Sequence, residues 1–304
     1  MHARVLMLVF AVVASVTASV EATAQSPAPT AAMAAARTSE TLQEVTVTAK
    51  RISIAPAVRE FVNQIARREN GDSLVRWDTP VCPTAIGLPR EEVAFILGRI
   101  SEIARAAGVP KGGETCPPNL FVVVTADPKG LLEGWNDRND TRLGVFNGAT
   151  WRYDLNGAPQ SVVEPFINTP RAARVWYYTG ASDTWHALTA AAGPKAENSR
   201  IFLHTLYAFI RVFVIADQTR MKGLTIGQFA DYVSMVGLAQ IKPDAHLGDT
   251  PTILRLFDGA PQHAPAGMTD WDRSFLKSLY ATDQIMNTQL DLMGKNMVRD
   301  ITHR

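Results

Sequence analysis

The sequence predicts an α+β protein, with a mixed β-sheet packed by several amphipathic helices. Two kinds of segment carry this. Asn119–Thr125 and Arg211–Ala216 are apolar, β-branched and aromatic runs of strand length. Pro89–Ala107 and the segments opened by Thr225 and Thr269 repeat apolar residues at spacings of three and four, so that one helical face of each can be buried.

Met1–Ala24 reads as a secretory signal: Arg4 supplies the charge, Val5–Val20 is almost wholly apolar or small, and Ala22-Thr-Ala24 is a cleavage site. The expected organisation is a signal over 1–24, an Ala/Pro-rich disordered leader over 25–41 and a single α+β domain over 42–304. No later run reaches the roughly 18 uncharged apolar residues that span a bilayer, so no transmembrane segment is expected once the signal is removed. The expected location is the periplasm or the exterior of a bacterial envelope. A formal net charge of +1 gives no overall basic bias of the kind that marks nucleic-acid binders, so no nucleic-acid partner is expected.

Leu42–Arg51 alternates as a strand does and resembles the segment opening the plug of TonB-dependent receptors; an edge strand or extended arm is the other reading. Pro56 suits the first turn of a helix whose stripe is Val58, Phe61, Val62 and Ile65. Leu74–Trp77 reads as a short strand. Val93, Ile96, Leu97, Ile100, Ile103, Ala104 and Ala107 define a helix over 90–107, stopped by Gly108 and Pro110. Cys82 and Cys116 flank it. An even count behind an export signal favours a disulfide over a metal pair, and closing so long a loop contributes on the order of 3–4 kcal/mol. Asp127-Pro128 reads as the end of the preceding strand.

Trp135–Asp140 concentrates oxygen ligands without the closing Gly and Glu of a calcium loop, so it reads as a polar surface turn. From Leu143 to Tyr178 short strands are expected at Val145-Phe146 and Arg174–Tyr178, with loops between them. Trp176, Tyr177, Tyr178 and Trp185 are either core or the lining of a groove. After the strand 211–216, Thr225-Ile-Gly-Gln228 is a capping box opening a helix over 226–241, with Phe229, Tyr232, Val233, Val236 and Gln240 on one face. Pro251 starts a short helix, and Thr269-Asp-Trp-Asp272 opens another over 270–283, buried through Trp271, Phe275, Leu276 and Leu279. The helices at 90–107, 226–241 and 270–283 are expected on one side of the sheet, and Asp283–Arg299 forms a last, partly exposed helix.

The string Ala230-Asp-Tyr-Val-Ser234-Met-Val-Gly237 resembles the active-site helix of metzincin-like (zincin-fold) zinc proteases, with Gly237 in register with the glycine of His-Glu-x-x-His-x-x-Gly. Thr250–Phe257 and Met268–Tyr280 resemble the segment following that helix in poorly characterised secreted bacterial proteins of this class. The resemblance implies a zincin-like fold from which the zinc ligands are gone: Ala230 and Ser234 stand for the two imidazoles, Asp231 for the general base and Gln240 for the third ligand.

His186, His204, His246 and His263 never fall at metal spacing, and no Gly-x-Ser-x-Gly elbow occurs, so the sequence assigns neither cofactor nor metal. A dispersed acid–base site could still be drawn from Asp217, Asp231, His204 and His246. Asp217 also reads as a turn cap, and Asp231 as a hydrogen-bonding group of its helix. The leading expectation is a non-catalytic envelope protein, a pseudoenzyme that binds a protein or peptide in the cleft where a protease would hold substrate. The alternatives are an envelope hydrolase using the dispersed site and a structural envelope protein.

Overall fold

A computed structural model describes residues 54–67, 74–110, 116–137, 145–146, 153–154, 160–181, 207–243, 245–284 and 288–303. The signal, the leader, the segment 42–51, Trp185, His186 and His204 lie outside these residues. The described residues belong to one unit spanning Val47–Arg304.

Helix α1 occupies 54–65, already helical before Pro56. Strand β1 (Pro83–Ile86) leads into α2 (Arg90–Ala107), and β2 (Leu120–Thr125) follows; α3 (Pro128–Asp137) comes next. Two short strands, β3 (Val145–Phe146) and β4 (Tyr153–Asp154), form their own antiparallel pair. Then come α4 (Gln160–Asn168), β5 (Ala173–Ala181), β6 (Tyr207–Asp217), α5 (Ile226–Leu238), α6 (Asp270–Ala281) and α7 (Gln289–Thr302). The main sheet has the order β1-β2-β6-β5, parallel through its first three strands and antiparallel at β5. This is the mixed sheet of an α+β protein.

Alternation along the central strands decides which residues meet which layer. Leu120, Val122, Val124, Val212, Val214 and Ala216 face the larger core, built with α1, α2, α5, α6 and α7. Its largest fully buried side chains include Trp77, Phe61, Phe209, Phe229 and Phe275, each worth about 1.5–3 kcal/mol in burial. Val123, Phe213 and Ile215 face the other way, onto Leu132 and Trp135 of α3 and Val163 and Ile167 of α4. Helices therefore cover both faces of the sheet.

That second layer corrects the sequence reading in two places. Trp135 is 8% exposed and packs edge-on to Phe213 at 5.8 Å, so it belongs to a buried helix and not to a surface turn. Residues 160–168 are helical despite Pro165. The carbonyls at the end of α4 are taken up by Arg174, whose Nε donates to Phe166 O (3.0 Å) and Nη2 to Thr169 O (2.9 Å).

The predicted caps form. Gly108 ends α2 with a left-handed φ of 86°. Thr225 with Gln228, and Thr269 with Asp272, close reciprocal capping boxes at α5 and α6. Helix α5 stops at Leu238, three residues short of its expected end, and the short helix after Pro251 is a 3-10 segment, Ile253–Phe257, capped by Thr252. Leu74–Trp77 contributes isolated bridges at Leu74 and Arg76, the latter parallel to Ala208, and no continuous strand. Cys82 and Cys116 are joined in a disulfide with their Cα atoms 5.9 Å apart, linking the residue before β1 to the approach to β2. Among the described residues no helix is long and apolar enough to cross a membrane.

Candidate functional site

Helix α5 lies between two environments. On one side it meets α2. Ala230 and Ser234 are fully buried there, and the Ser234 hydroxyl donates to Ala230 O of its own helix (2.7 Å). Gly237 is fixed by packing: a methyl group on it would come within 3.0 Å of Leu120 on β2, and its carbonyl accepts from the Trp77 indole (2.8 Å). Ala230 and Ser234, aligned with the two imidazoles, are thus core contacts.

Asp231 sits at the edge of this side, 4% exposed. Arg99 of α2 grips it with Nε at 2.6 Å from Oδ1 and Nη2 at 3.3 Å from Oδ2, and Met268 N donates to Oδ2 at 2.7 Å. The pairing raises the guanidinium pKa of Arg99 further, chiefly through its hydrogen bond to Asp231. Gly267 leaves room for this carboxylate, since a Cβ there would stand 2.8 Å from Oδ2. Asp231 therefore fastens α5 to α2 and to the turn before α6. Outside the pair there is only an open hollow beside the half-exposed Phe95.

Asp217 is a turn cap at the end of β6. Its Oδ1 accepts from Thr219 N (2.9 Å) and from the Thr219 hydroxyl (2.6 Å), and Oδ2 lies 3.4 Å from Arg220. The two carboxylates share no partner in these contacts. His246 is exposed on the loop after α5, and His204 lies outside the described residues. Among the described residues there is no group of three or more His, Cys, Asp or Glu side chains placed to hold a metal ion.

The other side of α5 is open. Tyr232, Val236 and, beyond the helix end, Gln240 line a groove of about 1030 Å³ that also takes in residues 172–179 of β5 and its approach. Consecutive strand residues line it, both those facing the larger core and those facing the smaller one, so the groove runs along the edge of the sheet. Its far wall is α4, through Val162, Pro165 and Phe166. Val162 is 48% exposed.

Tyr177 forms the floor. Its hydroxyl contacts Val236 O (3.0 Å) and Ala239 O (3.2 Å) and accepts from Ile241 N (3.3 Å), so β5 is held to the last turn of α5. Burial raises its pKa. Tyr232 packs edge-on against Phe257 at 4.9 Å, and burial with Asp258 nearby pushes its hydroxyl up to about 12. Arg67, Arg171 and Lys242 border the groove; Arg174 and Arg220 also line it but are engaged by the carbonyls ending α4 and by Asp217, and Asp258 is the carboxylate among the lining residues. Of the four aromatics singled out in the sequence, Tyr177 faces the groove's α5 side. Trp176 and Tyr178 point into the smaller core, and Trp185 is outside the described residues.

Compared with models of known protein families, with curated proteins and with solved structures, the chain matches none.

Proposed function

We propose that this is an exported, non-catalytic protein of the bacterial envelope that binds a polypeptide partner in the groove between β5 and α5. One observation carries the reading: a large open channel runs along a sheet edge, floored by aromatic side chains and flanked by helices on both sides. Export is supported by the signal-like start and by the disulfide, which suits an oxidising compartment.

The metzincin-like resemblance stays part of the proposal, with a change of face. Tyr232 and Val236, also four residues apart, are the α5 residues in the groove's inner wall, and neither is a metal ligand. The hydrolase alternative has less support, because Asp217 and Asp231 are each committed to structural partners.

The test is selection of a peptide-display library on the purified protein, followed by rebinding to a Val162→Trp variant whose added ring occupies the groove. Selected peptides should lose at least tenfold in affinity on that variant, because a filled groove excludes the bound segment. Equal binding to both proteins would refute the reading. So would stoichiometric zinc in protein purified without chelator, accompanied by peptide hydrolysis that chelation abolishes.

A further inference from the structure

The chemistry of the groove's occupant follows from its walls, given the reading above that the groove takes a polypeptide. The phase of β5 is set by the bond from Asp217 N to Ala172 O (2.8 Å). In an antiparallel pair alternate residues turn amide and carbonyl toward the neighbour, so Ala172, Arg174, Trp176 and Tyr178 address β6. Ala173, Val175 and Tyr177 then turn theirs the other way, into the groove. Among the described residues β5 is the last hydrogen-bonded strand of its sheet; β3 lies close to it but pairs with β4 and not with β5.

The two walls differ in character. On the α4 side stand Val162, Pro165 and Phe166. On the α5 side stand Arg67, Arg171 and Lys242: Arg171 Nη1 donates to Pro243 O (3.3 Å) and Lys242 Nζ to Asn63 O (2.7 Å), which holds both cations along that rim. Side chains of a strand laid on β5 alternate between the walls. We infer that the groove binds an extended acidic polypeptide by strand addition to β5, with alternate residues carboxylate, facing Arg67, Arg171 and Lys242, and apolar, facing Val162, Pro165 and Phe166. Main-chain bonds to Ala173, Val175 and Tyr177 supply a sequence-independent part of the affinity, and the two walls supply the selection.

The experiment uses fluorescein-labelled decapeptides and anisotropy with the full mature chain. The probes are alternating Glu/Val, alternating Lys/Val, a Glu-block/Val-block peptide of the first composition, and an alternating Glu/Val peptide N-methylated at every second residue in either phase. The alternating Glu/Val peptide should bind at least about tenfold more tightly than the Lys/Val and block peptides, and should weaken as salt rises. Only one phase of N-methylation should abolish binding, because only alternate amides of an added strand face β5. Arg171→Glu/Lys242→Glu should invert the preference between the Glu and Lys peptides; Lys242→Glu alone, at an exposed side chain, should narrow it if the double variant fails to fold.

Equal binding of the block and alternating peptides would reduce the effect to bulk charge attraction and overturn the proposal. So would indifference to both phases of N-methylation, or a groove filled by a second copy, seen as a dimer that the peptide does not disperse. If library peptides need the groove but are neutral or basic, this inference fails and the binding reading stands. If no peptide of any class needs the groove, the binding reading itself fails.

Discussion

The two long sides of α5 carry similar residues to opposite ends. Toward α2, the polar groups Asp231 and Ser234 are buried and saturated by Arg99, Met268 N and a carbonyl of their own helix. Toward β5, the largely apolar Tyr232 and Val236 are also packed, Val236 at 2% exposed and Tyr232 edge-on to Phe257, and they form the inner wall of the groove. The contrast teaches that a carboxylate at a catalytic-looking position can be a strut. The side proposed to bind is the other one, where the helix wall borders the groove.

The sharpest way to break the contrast is to install imidazoles on each side. Ala230→His/Ser234→His places two large polar rings where there is no exposure and should cost more than about 4 kcal/mol, read as loss of a cooperative melting transition. Tyr232→His alone should remain folded, because that side chain is only part-buried in the groove wall. If the first variant folds and binds zinc stoichiometrically, the closed side is not closed.

Asp231→Ala comes next. It strands the Arg99 guanidinium and the Met268 amide and should cost about 2–4 kcal/mol by denaturant titration, with peptide binding unchanged because the pair does not touch the groove. Tyr177→Phe removes the hydroxyl shared by three main-chain groups at the end of α5 and should cost about 1–2 kcal/mol while weakening whatever the groove holds.

The smallest effect is alkaline. A folded-state pKa of about 12 for Tyr232, above the ordinary 10.0, means that the folded chain keeps a proton which the unfolded chain releases. Its contribution is complete below about pH 10 and is lost as pH rises from there toward 12. Near pH 10.5 the loss should be about 1 kcal/mol, and Tyr232→Phe should flatten that part of the stability profile.

Much of the fold could be read from the sequence where local chemistry and tertiary packing agree. Helix α2 is periodic and ends on a glycine, and the capping boxes of α5 and α6 form as written. The second helical layer was hidden because its signals are ambiguous. Asp127-Pro128 ends a strand and also begins a helix: Asp127 accepts from Gly130 N (2.9 Å) while proline occupies the first turn. Pro165 masks α4, since the tertiary cap by Arg174 has no sequence signature. The groove was legible only in Tyr177, and which face of α5 it lies against could not be read at all. Helical periodicity rightly groups Tyr232 and Val236 with the core residues Phe229 and Val233, and cannot tell which of them also borders a groove.

The register of the sheet also sets an order of assembly. Strand β2 finds one partner, β1, close behind it in the chain, but its other partner, β6, begins only at Tyr207, after two helices and the antiparallel edge strand. A chain emerging N-terminus first can complete the cystine-bounded β1-α2-β2 unit early, yet it leaves one flank of β2 bare until nearly a hundred more residues have emerged. During that interval the apolar run Leu-Phe-Val-Val-Val is a sticky template, and how fast the rest of the chain arrives governs the yield of native protein.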